Sequence, residues 1–229
     1  MAKIVFSAVV GDARKKIGGT VFTKSRFGAI VRRKVSPIQP RTNAQRAVRA
    51  NFTAVSKAWS GVLDDPKRLA WSNLAAANPV KDRFGNSQIL TGLQMYERVN
   101  RALNTISVAR LDIAPLTLTG FDLGGCTLSQ AAGPLGALSI TVNNAAGELY
   151  KYVITASPYK SPGRTFVGKA YRIIEVIVGT TAMPYDFTTA LKAKFGDFAT
   201  GQRLNIGIYV VTIATGAIGK AYTATLISN

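Results

Sequence analysis

The sequence predicts a multidomain α+β chain with three parts. They are a basic N-terminal β-hairpin arm over residues 1–40, a small three-helix module over 41–108, and a C-terminal antiparallel β-sandwich over 111–229. Three observations carry this. Hydrophobic spacing changes from alternation to a helical period and back. Prolines at 37, 40, 66 and 79 mark the changes. Charge is lopsided: residues 1–110 hold 20 Lys/Arg and 5 Asp/Glu, and residues 111–229 hold 9 and 6.

The arm begins with a seven-residue apolar run, Ile4 to Val10, which reads as a strand. It is too short for a signal-peptide core and is followed by charge, not by a small-residue cleavage site. After Gly18-Gly19, the stretch TVFTKSRFGAIVRRKV reads as strand, turn, strand, with Lys24-Ser25-Arg26 as the turn. Ser36-Pro37 and Gln39-Pro40 end it, because proline removes a ladder donor and biases its predecessor to extended geometry.

Thr42-x-x-Gln45 has capping-box spacing and opens the first helix. Val48, Phe52, Val55 and Trp59 recur at helical spacing and predict one core-facing stripe, with Arg46, Arg49, Thr53 and Lys57 opposite. Asp64-Asp65-Pro66 caps a second helix carrying Leu69, Trp71 and Leu74, which stops at Asn78-Pro79. Residues 82–86 form a turn. Thr91-x-x-Gln94 repeats the capping box before a third helix lined by Leu93, Tyr96, Val99 and Leu103. Beyond residue 111, strands are expected at 136–143, 149–156, 170–178, 204–214 and 218–227, with weaker ones at 115–120 and 125–131. A short helical crossover is expected at 188–196.

Candidate chemistry is sparse. The chain has no histidine and scattered carboxylates, so no acid–base pair or metal cage is expected. Cys126 stands alone, which gives no disulfide framework and reads as a small buried hydrophobe in a reducing compartment. Neither Gly18-Gly19 nor Gly124-Gly125 begins a phosphate loop. No enzyme activity, cofactor or membrane span is expected. The expectation is binding. Arg14, Lys15, Lys16, Lys24, Arg26, Arg32, Arg33, Lys34, Arg41, Arg46, Arg49 and Lys57 form the candidate contact for a polyanion or a neighbouring subunit. Exposed aromatics on the sandwich would point to an adhesin, and Tyr159 and Phe166 are the candidates.

The tract around Phe52, Trp59, Lys67-Arg68 and Trp71 resembles the two-helix core of an HMG box over about thirty residues. A broader resemblance runs over residues 15–105. The stretch GGTVFTKSRFGAIVRRKVSPIQPRTNAQRAVRANFTAVSKAWSG resembles a group of bacteriophage virion-region proteins. It does so through Gly19, Val21, Phe22, Phe27-Gly28, Val31-Arg32, Pro37, Pro40, Thr42, Gln45, Arg49 and Phe52, then Trp59, Leu63, Arg68 and Trp71. The β-rich half resembles the immunoglobulin- or fibronectin-like modules of phage head and tail proteins. These resemblances imply a virion protein assembled in the bacterial cytoplasm, a minor capsid or decoration protein, with a tail component as a further alternative. Its partners would be other virion proteins and copies of itself. The alternative is a sequence-tolerant DNA-binding protein held on packaged DNA.

Overall fold

The chain is mixed α+β. The structure, a computed structural model, describes residues 2–6, 10, 12–25, 28–82, 84–132, 136–168 and 170–228. Among these residues are four helices and four antiparallel sheets, one of them a two-stranded ribbon. The chain divides into two units, Met1–Ala50 with Pro79–Gln88, and Asn51–Asn78 with Ile89–Asn229. These boundaries differ from the expected 40/41 and 108/111, and the reason lies in the core described below.

The first unit holds a four-stranded sheet of β1 (Ala2–Ile4), β2 (Lys15–Ile17), β3 (Thr20–Ser25) and β4 (Gly28–Arg33), in the order β1-β4-β3-β2. The expected strand at 4–10 meets β1 only at Ile4; residues 5, 6 and 10 belong to no strand, and residues 7–9 lie outside the described residues. Ser25 pairs with Gly28, so Lys24 and Ser25 belong to the ladder and not to the turn. β5 (Val80–Lys81) and β6 (Ser87–Gln88) form a small ribbon. Its turn is organised by Asp82, whose Oδ1 accepts from the Phe84 and Asn86 amides at 2.8 and 3.0 Å.

Helix α1 spans Asn43–Gly61. The Gln45 amide donates to Thr42 Oγ1 at 3.3 Å, but Gln45 Oε1 is buried without a partner, so only half of the capping box forms. The apolar stripe is also only half used. Val55 and Ala58 are buried, whereas Val48 is 60% exposed and Phe52 44%. Helical spacing fixes which residues share a face; it does not say how far along the helix that face is covered. In α2 (Asp65–Ala77), Asp64 caps the Lys67 amide and Pro66 sits in the first turn, while Trp71 and Leu74 are buried. Leu69 is exposed, contrary to expectation. Arg68 reaches back with Nε to Trp59 O and Nη2 to Ser60 O, both at 3.1 Å, and so holds the last carbonyls of α1. Helix α3 (Gly92–Thr105) carries the complete reciprocal box between Thr91 and Gln94.

Seven strands follow. β7 (Cys126–Gln130), β8 (Leu138–Val142) and β11 (Tyr185–Asp186) form one sheet, ordered β11-β8-β7. β9 (Tyr150–Ala156), β10 (Arg172–Val178), β12 (Arg203–Thr212) and β13 (Tyr222–Ile227) form the other, ordered β10-β9-β12-β13. Helix α4 (Thr188–Phe195) is the expected crossover. The segment 115–120, expected as a strand, has none; Pro115 lacks a ladder donor and Gly120 lies against the 218–219 backbone. The two-residue β11 carries too little pattern to be read from sequence.

The central sheet is apolar on both faces. Tyr152, Ile154, Leu204, Ile206, Ile208 and Val210 share a core with Leu138 and Ile140 of the three-stranded sheet. Val153 and Val211, on the opposite face, join Trp71, Met95, Tyr96, Val99 and Leu103 of the helices. The helices thus have no core of their own; they complete the sheet. This is why α2 and α3 group with the strands. Gly216 (φ +63°) ends the turn after β12 so close to α3 that a Cβ there would meet Val99 O at 2.9 Å.

Asn100 ties the helices to the connecting segment. It is buried, its Nδ2 donates to Tyr96 O and Leu111 O at 3.1 Å, and its Oδ1 accepts from the Leu111 amide at 2.7 Å. Asn100→Ala leaves both backbone groups of Leu111 unpaired. It should cost about 2 kcal/mol, read as a lowered urea midpoint with an unchanged slope.

Candidate basic interface

In the N-terminal sheet, register places Lys16, Val21 and Arg32 in one cross-strand row and Ile17, Thr20 and Arg33 in the next. Directly opposed residues share a face and successive rows alternate faces. Lys16 and Arg32 therefore flank Val21 on one face. Arg33 lies on the other with Lys15, which shares a row with Phe22 and Val31. Adjacent strands are about 4.8 Å apart, so cations two strands apart sit roughly 10 Å from each other, too far to bridge and near enough to add their fields. Lys24 is the penultimate residue of β3, and Lys34 follows β4 with its amide on Gly19 O.

The structure brings Lys15, Lys16, Lys24, Arg32, Arg33 and Lys34 onto one sheet and its margin. Arg41 lies in the connection to α1 and takes a positive φ of 52° directly after Pro40. Arg46 and Arg49 lie one turn apart on α1 and are exposed. Lys57 belongs to the second unit, and Arg26 lies outside the described residues. Two cations are already occupied: Arg14 Nε and Lys24 Nζ approach Asp12 Oδ2 at 2.9 and 3.9 Å. The hydrogen bond from Arg14 holds the Asp12 carboxyl below its usual range. Among the described residues, Lys15, Lys16, Arg32, Arg33, Lys34, Arg41, Arg46, Arg49 and Lys57 have no carboxylate partner.

Charge is only part of this surface. Among the residues of the first unit whose side chains are described, none is buried. Ile17 is 68% exposed, Val35 67% and Ile38 91%. Sequence reasoning missed these aliphatic residues as surface components. Their signal was present: Val35 and Ile38 sit in a proline-punctuated stretch with no period to direct them inward. It also missed Lys3, whose ammonium meets Asp82 Oδ2 at 2.5 Å across 79 residues.

Elsewhere, Arg98, Arg101, Gln94, Thr105, Tyr209 and Val211 line an open groove of about 470 Å³ beside α3. Cys126 is half-buried, and burial pushes its thiol up. Tyr159, offered as a displayed aromatic, is half-buried, and its hydroxyl donates to Gly196 O at 2.7 Å; Phe166 is exposed. Among the described residues no group of His, Cys, Asp and Glu is placed to hold a metal, and no helix is long and apolar enough to cross a membrane. Comparison of the chain with protein-family models, curated proteins and solved structures finds no match.

The Lys3 hydrogen bond and two backbone amides hold the Asp82 carboxyl down at about 2. A depressed carboxylate adds stability above its ordinary value near 3.9 and loses it as pH falls toward the folded value. Amide resonances of Phe84 and Asn86 should titrate together between pH 4 and 2. Asp82→Asn should abolish that step and speed hydrogen exchange in β1.

Proposed function

We propose that the chain is a structural protein of a bacteriophage virion, a minor capsid or capsid decoration protein anchored by its basic N-terminal unit. One observation carries the reading. The first unit has a four-stranded sheet and the start of a helix but no buried residue among those whose side chains are described, while the second has an extensive core. Sheets need a covered apolar face to be stable. A unit without one is suited to being completed by a neighbour, as a subunit of a large assembly is. The resemblance of residues 15–105 to virion-region proteins points the same way.

The second unit fits a projecting or packing module. Read in chain order as A, B, C, C′, E, F and G, its strands pair as E-B-A and C′-C-F-G. That order supports the immunoglobulin- or fibronectin-like β-sandwich reading. The unpaired cations favour a second reading, sequence-tolerant DNA binding, in which Arg32, Arg33, Lys34, Arg41, Arg46 and Arg49 contact phosphates.

Deleting residues 1–38 should reduce incorporation into particles at least tenfold while the second unit keeps its cooperative thermal unfolding. Normal incorporation of the truncated chain defeats the capsid reading. A gel-shift series against salt separates the two. Binding to duplex DNA that survives about 0.15 M salt and falls with charge removal favours the DNA reading.

A further inference from the structure

We infer that the N-terminal unit docks onto an acidic protein, and onto neither nucleic acid nor a second copy of this chain. The inference rests on the reading of this unit as an anchoring surface and names its partner.

The cations alone would suit phosphate. The residues between them would not. Ile17 shares a face of the sheet with Lys15 and Arg33; Val35 and Ile38 follow Arg32, Arg33 and Lys34 in the chain; Val48 precedes Arg49 on α1, on the side away from Arg46. All four aliphatic side chains are exposed. A phosphate backbone would neutralise their neighbours and leave them in water. Stacking on bases calls for aromatic faces, and the exposed large apolar residues described in this unit are aliphatic except for Phe84. A protein surface that alternates carboxylates with apolar groups covers both kinds of side chain at once.

Charge excludes a second copy. By sequence the first unit carries fourteen Lys/Arg and two Asp, a net of +12, and the second carries fifteen Lys/Arg and nine Asp/Glu, a net of +6. Either pairing of copies sets like charge on like. Nor do the second unit's carboxylates form a free acidic patch, since eight of the nine are engaged and only the exposed Glu148 has no partner among the described residues. Asp64, Asp65, Asp112 and Asp197 are held by Lys67, Arg68, Arg110 and Lys192. Glu97, Asp122 and Asp186 accept from Ser56, Tyr222 and Thr188, and Glu175 from Tyr185. Edge strand β2 presents Lys15 and Lys16, a pattern that discourages two like edges from pairing.

The test uses the purified full chain with two exposed variant sets, Arg32→Ser/Arg33→Ser/Lys34→Ser and Val35→Ser/Ile38→Ser/Val48→Ser. Co-sedimentation is measured with DNA-filled and DNA-free particles lacking the chain. Equal binding to both particles is expected, with each variant set weakening it at least tenfold. Binding confined to DNA-filled particles, or an aliphatic set that binds as wild type does, overturns the inference. If the wild-type chain binds neither particle, the virion reading falls, and two further measurements decide the inference alone. One is hydrogen exchange over residues 34–48 with a 30-base-pair duplex; the other is sedimentation velocity of the chain alone. Protection by DNA or self-association overturns it; an unprotected, monomeric chain upholds it.

Discussion

A single sheet buried on both faces organises most of this molecule. In β9, the consecutive residues Tyr152, Val153 and Ile154 are all buried, and in β12 so are Leu204 to Ile208. Alternation sends neighbours to opposite faces, so such runs demand two covering layers. The three-stranded sheet with α4 supplies one, and α2 and α3 supply the other. Tyr96 lies at the centre of the helical layer, 5.2 Å from the Trp71 ring and 5.6 Å from Trp59, and burial pushes its hydroxyl up to about 12. Its hydroxyl and the Trp71 Nε1 both donate to Asp112, which fastens the irregular segment after α3 to the same layer.

Much of this was legible in the sequence because it is local. The Asp64 cap, the Thr91–Gln94 box, the Asp82 turn and most strands depend on a few adjacent residues, and each formed where its pattern lay. Failures occurred where the deciding partner was distant. Val48 and Phe52 have the same helical spacing as Val55 and Trp59, yet only Val55 and Trp59 join the core that α2 and α3 complete. Leu69 fails for the same reason. The cations of the candidate surface were legible as a list, but which share a face was not, because register couples Lys16 to Arg32 through Val21. The buried run in β12 was read correctly as a strand, yet nothing in it says that its second face is met by helices.

The two units divide stabilising forces unequally. The second is sustained by apolar burial, closed by specific devices such as Asn100 and Arg68. The first relies on its backbone ladder, half-buried Phe22, Ile30 and Val31, and two carboxylates that each bind a cation. Ladder bonds add little net stability when water competes for the same groups. The first unit therefore lies at the low end of local stability, where surfaces that order on contact are found.

The grip of Arg68 on the end of α1 bears on how the protein's basicity is to be understood. Lys151 donates to Ile106 O, Lys160 to Phe166 O and Arg203 to Pro162 O, so in the second unit several cations serve as cross-braces to backbone carbonyls. At Arg68 the guanidinium fork spans two successive carbonyls, a geometry that lysine cannot reproduce. The formal +18 thus combines two populations. One is structural and exchangeable only for its own shape; the other, in the first unit, lies largely exposed with no carboxylate partner among the described residues. A homologue could shed or add charge in the second group with little effect on folding, whereas equal changes in the first would loosen loops and leave the overall field almost unaltered.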